Sequence, residues 1–290
     1  MFAAATGGSP VKIINYSYDD ASHLVGWTDG AVSANMTYGA TGQTMTETFD
    51  YGAFTVTQSS RYNVRGRCIS FTAPDGVTNS YSLAAYGRVN VVHLPEQGSV
   101  SFEFNRAGSV SRIVLPGGAA KETRYDAHSR ETAETLDDPA GNPLLEREYM
   151  RDGVGSVVRI STEHGEQTYA YDAIGQLVSE THPTLGTRNF TYDGAGNRLG
   201  DGVSTNVWEY NELNQLVQAG DRRFEYDSNG NLLRELVSET VAREYEYDIQ
   251  NRLVAMRDGE GVVLARYGYD PFGRRIMKEA GGVVTWYTYT

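Results

Sequence analysis

Seven aspartates share one address in this chain: Asp19, Asp126, Asp172, Asp193, Asp227, Asp248 and Asp270 each directly follow a tyrosine. Paired carboxylates are the usual equipment of general acid/base catalysis, one protonated and one ionised. An active site is built once, however, and these carboxylates recur. Asp is also the side chain that accepts a backbone N–H two residues on at a turn, so repetition assigns them to turn caps.

Other reactive-looking residues resolve in the same way. "DSNGN" at 227–231 opens like a calcium loop, but the Gly expected at its sixth position and the bidentate Glu expected at its twelfth are missing. "GVGSVV" (153–158) and "GAGNRL" (194–199) start like dinucleotide loops, yet each lacks the last Gly and sits in a hairpin pattern with no helix to follow. His23, His93, His128, His164 and His182 form no HxxxH-type pair, and a GxSxG elbow is absent. Cys68 is the only cysteine, which excludes an intrachain disulfide and a thiolate-rich metal site. Asn15, Asn35 and Asn189 open Asn-x-Ser/Thr triplets, a spacing common by chance. The expectation is no catalysis, no metal and no cofactor.

The net charge of -12 and the pI near 4.9 argue against nucleic acid or an anionic membrane as partner. Lys and Arg are scattered among Glu and Asp, as in "RDGEGVVLAR", which predicts a solvated mixed-charge surface. No apolar run approaches membrane-spanning length, and "MFAAATGGSP" lacks the charged leader and apolar core of a secretory signal. The chain is expected to be soluble as given, exported by a signal-independent route or as part of a longer protein.

The elements that must carry the aspartates are strands. The phrase Tyr-Asp (Tyr-Asn at Tyr210), two residues, Gly or Asn, one or two residues, aliphatic recurs at Tyr171, Tyr192, Tyr210, Tyr226, Tyr247 and Tyr269, at intervals of 21, 18, 16, 21 and 22 residues. Looser copies begin at Tyr18, Tyr38, Tyr62, Phe104 and Tyr125. Aromatic pairs at i, i+2, among them Tyr169/Tyr171, Phe190/Tyr192, Trp208/Tyr210, Phe224/Tyr226, Tyr245/Tyr247, Tyr267/Tyr269 and Tyr287/Tyr289, share a face only in a strand. Polar spacers such as Glu209, Glu225 and Glu246 give each strand one aromatic and one wet face. After Asp172, Asp193, Asp227, Asp248 and Asp270, residues tolerant of positive φ follow at Gly175, Gly196, Gly230, Asn251 and Gly273, marking a hairpin corner; Tyr210 leads to Asn214. Leu177, Leu199, Leu216, Leu232, Leu253 and Ile276 then open the returning strand. A lone hairpin is marginal in water, so the units must stack, ring upon ring.

The serial Tyr-Asp-x-x-Gly-x-Leu phrase resembles the YD repeat of the RHS-repeat family, which includes bacterial polymorphic and insecticidal toxins and the animal teneurins. The resemblance covers residues 121–290 closely and 1–120 loosely, and it implies an all-β fold in which tandem antiparallel hairpins form one continuous curved or spiralling sheet, part of a hollow shell. It also implies a structural role, enclosing a C-terminal toxin cargo, with the remaining repeats and that cargo as partners and secretion or cell-surface display as the destination. An extracellular adhesion or glycan-binding module is the alternative, and edge-to-edge homo-oligomers are a further expectation. The family closes its array with "DPxGL"; here "DPAGN" (138–142) and "DPFGR" (270–274) lack the Leu, and "TWYTYT" begins another strand. A single array, cut from a longer chain, is expected, with any cleavage residues and toxin beyond Thr290.

Overall fold

The computed structural model describes residues 13–200, 202–203 and 208–289. Its strands are β1 (Asn15–Tyr18), β2 (Leu24–Thr28), β3 (Ser33–Tyr38), β4 (Thr44–Asp50), β5 (Thr55–Tyr62), β6 (Cys68–Thr72), β7 (Thr78–Leu83), β8 (Val89–Leu94), β9 (Gly98–Phe104), β10 (Val110–Val114), β11 (Ala120–Tyr125), β12 (Glu131–Asp137) and β13 (Pro143–Arg151). They continue as β14 (Val157–Thr162), β15 (Gly165–Tyr171), β16 (Leu177–His182), β17 (Gly186–Asn189), β18 (Trp208–Tyr210), β19 (Leu216–Ala219), β20 (Arg222–Tyr226), β21 (Leu232–Val237), β22 (Thr240–Tyr247), β23 (Leu253–Asp258), β24 (Val263–Tyr269), β25 (Arg275–Ala280) and β26 (Val283–Trp286). One 3-10 turn, Ala85–Gly87, is the sole helical element among the described residues.

The chain divides into two compact units, Met1–Arg151 with Arg159–Gly165, and Asp152–Val158 with Glu166–Thr290. In the first, β1 to β13 run as a meander in which each strand is antiparallel to the next. In the second, β15 to β17 pair in series and β18 to β26 form a nine-stranded sheet. The fold is therefore the expected all-β succession of antiparallel hairpins.

Each hairpin has a corner of the same turn at one end, Tyr-Asp in seven of them, and consecutive hairpins are joined by a second turn at the other. At the corners the ladder register shifts between the key aromatic and the residue before it, as at Ala170/Tyr171, Glu225/Tyr226, Glu246/Tyr247 and Gly268/Tyr269. Tyr171 opposes Leu177 while Ala170 opposes Ser179, so Val178 is an extra residue on the returning strand. Such a bulge bends the strand and increases its twist.

Burial follows the period of two: in β15 the face with Tyr169 and Tyr171 is half-buried and the spacers Thr168 and Ala170 are exposed. Only ten hydrophobic side chains among the described residues are buried, and five of them are alanines: Ala34, Ala120, Ala133, Ala255 and Ala265. No thick apolar core holds these units, so the hairpins must be fastened by other means.

Two expectations are corrected. The unit at Phe190 and Tyr192 forms no strand, only an isolated bridge between Tyr192 and Arg198, and Leu199 opens no returning strand. There Arg198 lies between the rings of Phe190 and Trp208, 5.0 and 4.9 Å from their centroids, and single backbone bonds, from the Leu199 N–H to the Thr191 carbonyl at 2.8 Å and from the Trp208 N–H to the Leu199 carbonyl at 3.0 Å, stand in for a full ladder. Likewise β26 ends at Trp286, leaving Tyr287 and Tyr289 outside a strand, although the Tyr287 N–H still donates to the Ile276 carbonyl at 3.0 Å.

Candidate functional site

The repeated corner is the candidate site, and its geometry begins with the aspartate. At Asp172, Oδ1 accepts the N–H groups of Ile174 (3.0 Å) and Gln176 (2.9 Å), while the Gly175 N–H closes the turn on the Asp172 carbonyl at 3.1 Å. The same arrangement recurs at Asp193, Asp227, Asp248 and Asp270. Asn211 performs it after Tyr210 with an amide oxygen. The turn requires a left-handed residue before the returning strand: Gly175 has φ 86° and Asn251, where a side chain is accommodated, φ 58°.

The residue after that left-handed position completes the corner, and two of the arginines expected to be scattered surface charge serve there. Asn197, Asn231, Arg252 and Arg274 each donate a side-chain N–H to Oδ2 of their own corner aspartate, at 2.9, 2.8, 2.7 and 2.6 Å. Several also reach onward. Asn197 donates to Asn214 Oδ1 at 3.0 Å, Asn231 to Asn251 Oδ1 at 2.8 Å, and Arg252 to the Asp270 carbonyl at 3.1 Å, each in the next corner. Where ring-on-ring stacking is expected, guanidinium groups intervene: Arg252 lies 4.7 Å from the Tyr269 centroid and Arg275 4.9 Å from that of Tyr287. The repeat itself contains the signal: Arg or Asn follows the corner Gly or Asn at four of the six close copies, and Gln176 and Gln215 at the other two.

Eight key tyrosines bind their hairpin to the one before it. Every donated bond ends on the carbonyl six residues beyond the previous unit's key position. Tyr192 donates to Leu177 (2.8 Å), Tyr210 to Arg198 (2.8 Å), Tyr226 to Leu216 (2.8 Å), Tyr269 to Leu253 (2.8 Å) and Tyr289 to Arg275 (2.6 Å). Tyr38, Tyr125 and Tyr171 do the same to Leu24, Val110 and Val157. The bond from Tyr171 exposes a corner whose key residue is Arg151, invisible to an aromatic search. Arg151 itself places Nη2 3.3 Å from the Glu131 carbonyl, the acceptor that a tyrosine would take there. Burial raises the phenol pKa of Tyr210, Tyr226, Tyr247 and Tyr269, which keeps these hydroxyls protonated.

Tyr226→Phe removes one such bond without opening a cavity. A loss of about 1 kcal/mol is expected, read as a lower urea midpoint at unchanged m-value. No change would mean that the hydroxyl is equally well satisfied by water.

The carboxylates are held ionised by their turns. Asp126 is lowered to about 2, chiefly by the Arg130 backbone N–H. Side-chain donation from Asn142, Asn197 and Asn231 leads the downward shifts of Asp138, Asp193 and Asp227. At Asp248 burial pushes upward, but donation from Arg252 outweighs it. A group holding its charge this firmly is a cap and a poor proton shuttle. Both oxygens of Asp227, the first residue of the calcium-like stretch, are engaged by Asn229 and Asn231. Asp138 of "DPAGN" builds the same cap in a second turn. His23 pairs with Asp19 at 3.0 Å and stacks on Tyr38, while His93 meets Ser82 at 3.0 Å. Among the described residues, no three His, Cys, Asp or Glu side chains converge as a metal cluster, and no helix is long and apolar enough to cross a membrane.

Comparison with known proteins matches this geometry to a family. The family model described as "Teneurin YD-shell" matches residues 7–154 and again 154–290. A relative from Burkholderia cenocepacia, "Double-stranded DNA deaminase toxin A", is 29% identical over 93% of this chain and 20% of its own length. "tRNA nuclease WapA" of Bacillus subtilis is 33% identical over 66% of this chain and 8% of its own. Among solved structures, that of TcdB2-TccC3-TEV superposes with TM-score 0.69 at 16% identity, covering 91% of this chain and 17% of that one. The chain thus spans a fifth or less of the relatives it matches.

Proposed function

Because this chain belongs to the teneurin YD-shell family, we propose that it is a wall segment of a shell that encloses a C-terminal toxin or effector cargo within a longer, exported protein. In this reading the residues form a single repeat array, divergent over 1–120 and regular over 121–290, and Tyr171, Tyr192, Tyr210, Tyr226, Tyr247 and Tyr269 with their corners are its structural repeat. One observation carries it: hairpins with little buried apolar surface are fastened in series by hydroxyl-to-carbonyl bonds, made by Tyr171, Tyr192, Tyr210, Tyr226, Tyr269 and Tyr289 to the preceding unit. That construction suits a wall that must be extended and continuous, since each added unit needs only its neighbour.

The deamination and nuclease activities named in the relatives belong to those much longer proteins, and this segment is assigned no catalysis. Adhesion or glycan binding is the less favoured reading, because the matched relatives are named as toxins and nucleases. Edge-to-edge homo-oligomers would form through the outer edges of β1 and β26.

The test is protease protection in the full-length parent. The region C-terminal to this segment is expected to resist digestion until the wall is weakened, as by Asp270→Ala, and then to be cut. Equal digestion of cargo in the native and weakened proteins would overturn the enclosure.

A further inference from the structure

The corner rim of the second unit carries a feature that fastening hairpins does not require. Two residues project at each corner between the Asp or Asn and the left-handed residue. At five of the seven corners from Asp152 to Gly273 one of them is a large apolar side chain, Val154, Ile174, Leu213, Ile249 or Phe272, between 53% and 90% exposed. Of the fourteen tip residues, only Glu212 is charged, in a chain that is 21% charged. The opposite rim of the same unit bears Asp221, Glu239 and Glu260 in its turns. A lone exposed apolar side chain needs no explanation, but a row of them at the corner tips, four at the second tip position and Ile249 at the first, does.

We propose that this rim is a self-association surface whose occupant is the same rim of a second copy of the chain. Charge limits the choice: each copy carries -12, so two copies approach most easily through a face that bears almost none of it. Order supplies the complementarity. Read from Asp152 to Gly273, the corners run large, large, Ala195, large, Asn229, large, large, which is the same in either direction. Where strands flank them, corners recur every second strand, about 10 Å apart; the Asp193 corner, which has no strands of its own, is held in the row by the bonds from Tyr192 to Leu177 and from Tyr210 to Arg198. A two-fold axis through Leu213 therefore sets Val154 against Phe272, Ile174 against Ile249, and the small Ala195 against Asn229. Such an isologous contact closes as a dimer. It leaves the strand edges free, which separates it from edge-to-edge pairing.

Sedimentation equilibrium of the chain from about 1 μM to 1 mM tests it. Wild type is expected to be a reversible dimer. Leu213→Asp, on the axis, should weaken association at least about tenfold, as should Leu213→Lys, while an equimolar mixture of the two should associate again. Leu185→Asp, at an exposed tip of the opposite rim, should leave association unchanged. Leu213 is 75% exposed, so both variants should retain the circular dichroism of the parent; should either unfold, Ile249→Asp replaces it. A monomeric wild type throughout, a Leu213→Asp variant as associated as wild type, an unrestored mixture, or equal weakening by Leu185→Asp would each overturn the proposal. None of these outcomes touches the wall reading, whose test is cargo protection.

Discussion

Replacing Asp270 with alanine is expected to cost roughly 3 kcal/mol of unfolding free energy, markedly more than the same change at Asp227. Asp270 is 1% exposed, the most enclosed carboxylate of the series. Its Oδ1 accepts the N–H groups of Phe272 and Arg274, both at 2.9 Å, and its Oδ2 meets Arg274 Nε at 2.6 Å. Its carbonyl receives Arg252 from the preceding corner at 3.1 Å. Alanine strips the acceptor from two backbone donors and leaves Arg274 without its counter-ion. That guanidinium is only a third exposed, so solvent repays part of the loss, which is why the figure lies at the low end for a broken buried pair. Asp270→Asn keeps Oδ1 and surrenders only the ion pair, and should fall between wild type and alanine. Urea unfolding followed by tryptophan fluorescence measures all three, since Trp208 and Trp286 lie in the same sheet. Equal losses at Asp270 and Asp227 would show that enclosure adds nothing to the corner.

The contrast explains why the fold was legible and the fastening was not. A period of two is written by residue type alone, so pairs such as Tyr245/Tyr247 announce their strand without tertiary knowledge. The corner is also local: one carboxylate, two N–H groups four residues apart at most, and a left-handed residue. For that reason it forms even where the key aromatic is absent, as after Arg151, where Asp152 Oδ1 accepts the Val154 and Ser156 N–H groups at 3.1 and 2.9 Å, and the backbone turn alone forms where the carboxylate is missing too. After Leu83, the Ala84 N–H donates to the Arg88 carbonyl at 2.8 Å and the Gly87 N–H to the Ala84 carbonyl at 3.1 Å. An aromatic search passes over that corner and the one at Arg151 because the ring belongs to the connection between units and is dispensable for the turn. The connection itself is not local. That a tyrosine hydroxyl ends on a carbonyl 10 to 16 residues upstream depends on register, and register depends on a bulge that no residue type announces. The role of the arginines is hidden from the sequence for the same reason. As a list they look like solvated charge, but the turn places Arg252 over Tyr269 and against Asp270 at once. At Tyr192 the local corner formed and the strands did not, which shows that the corner phrase specifies a turn without guaranteeing its ladder.

Because the same cap is repeated, acid should act on the whole array over one narrow interval. Asp19, Asp126, Asp138, Asp193, Asp227 and Asp248 all have pKa values below the usual 3.8, Asp126 at about 2. A carboxylate with a depressed folded-state pKa contributes stability that is complete above the unfolded value and vanishes as pH falls through the folded one. The unfolding free energy should therefore be level down to about pH 4 and then drop steeply towards pH 2. At the other extreme, half-buried tyrosines such as Tyr226 and Tyr269 have raised pKa values, so their contribution is complete below pH 10.0 and is lost above it as phenolate forms and the hydroxyl donor disappears. Between those limits the array should be nearly indifferent to pH. Thermal midpoints measured from pH 2 to pH 11 at constant ionic strength would trace this plateau. Salt separates the cause from ordinary surface ion pairs: a carboxylate bonded to backbone N–H groups is screened far less than exposed partners, so the acid limb should persist at about 1 M NaCl. The decisive variant is the triple change of Asp193, Asp227 and Asp248 to Asn. Asparagine retains an oxygen for the turn but has nothing to titrate, so the acid limb should become shallower even though stability at neutral pH falls. An acid limb of unaltered steepness would mean that other carboxylates, and not the corners, govern unfolding in acid.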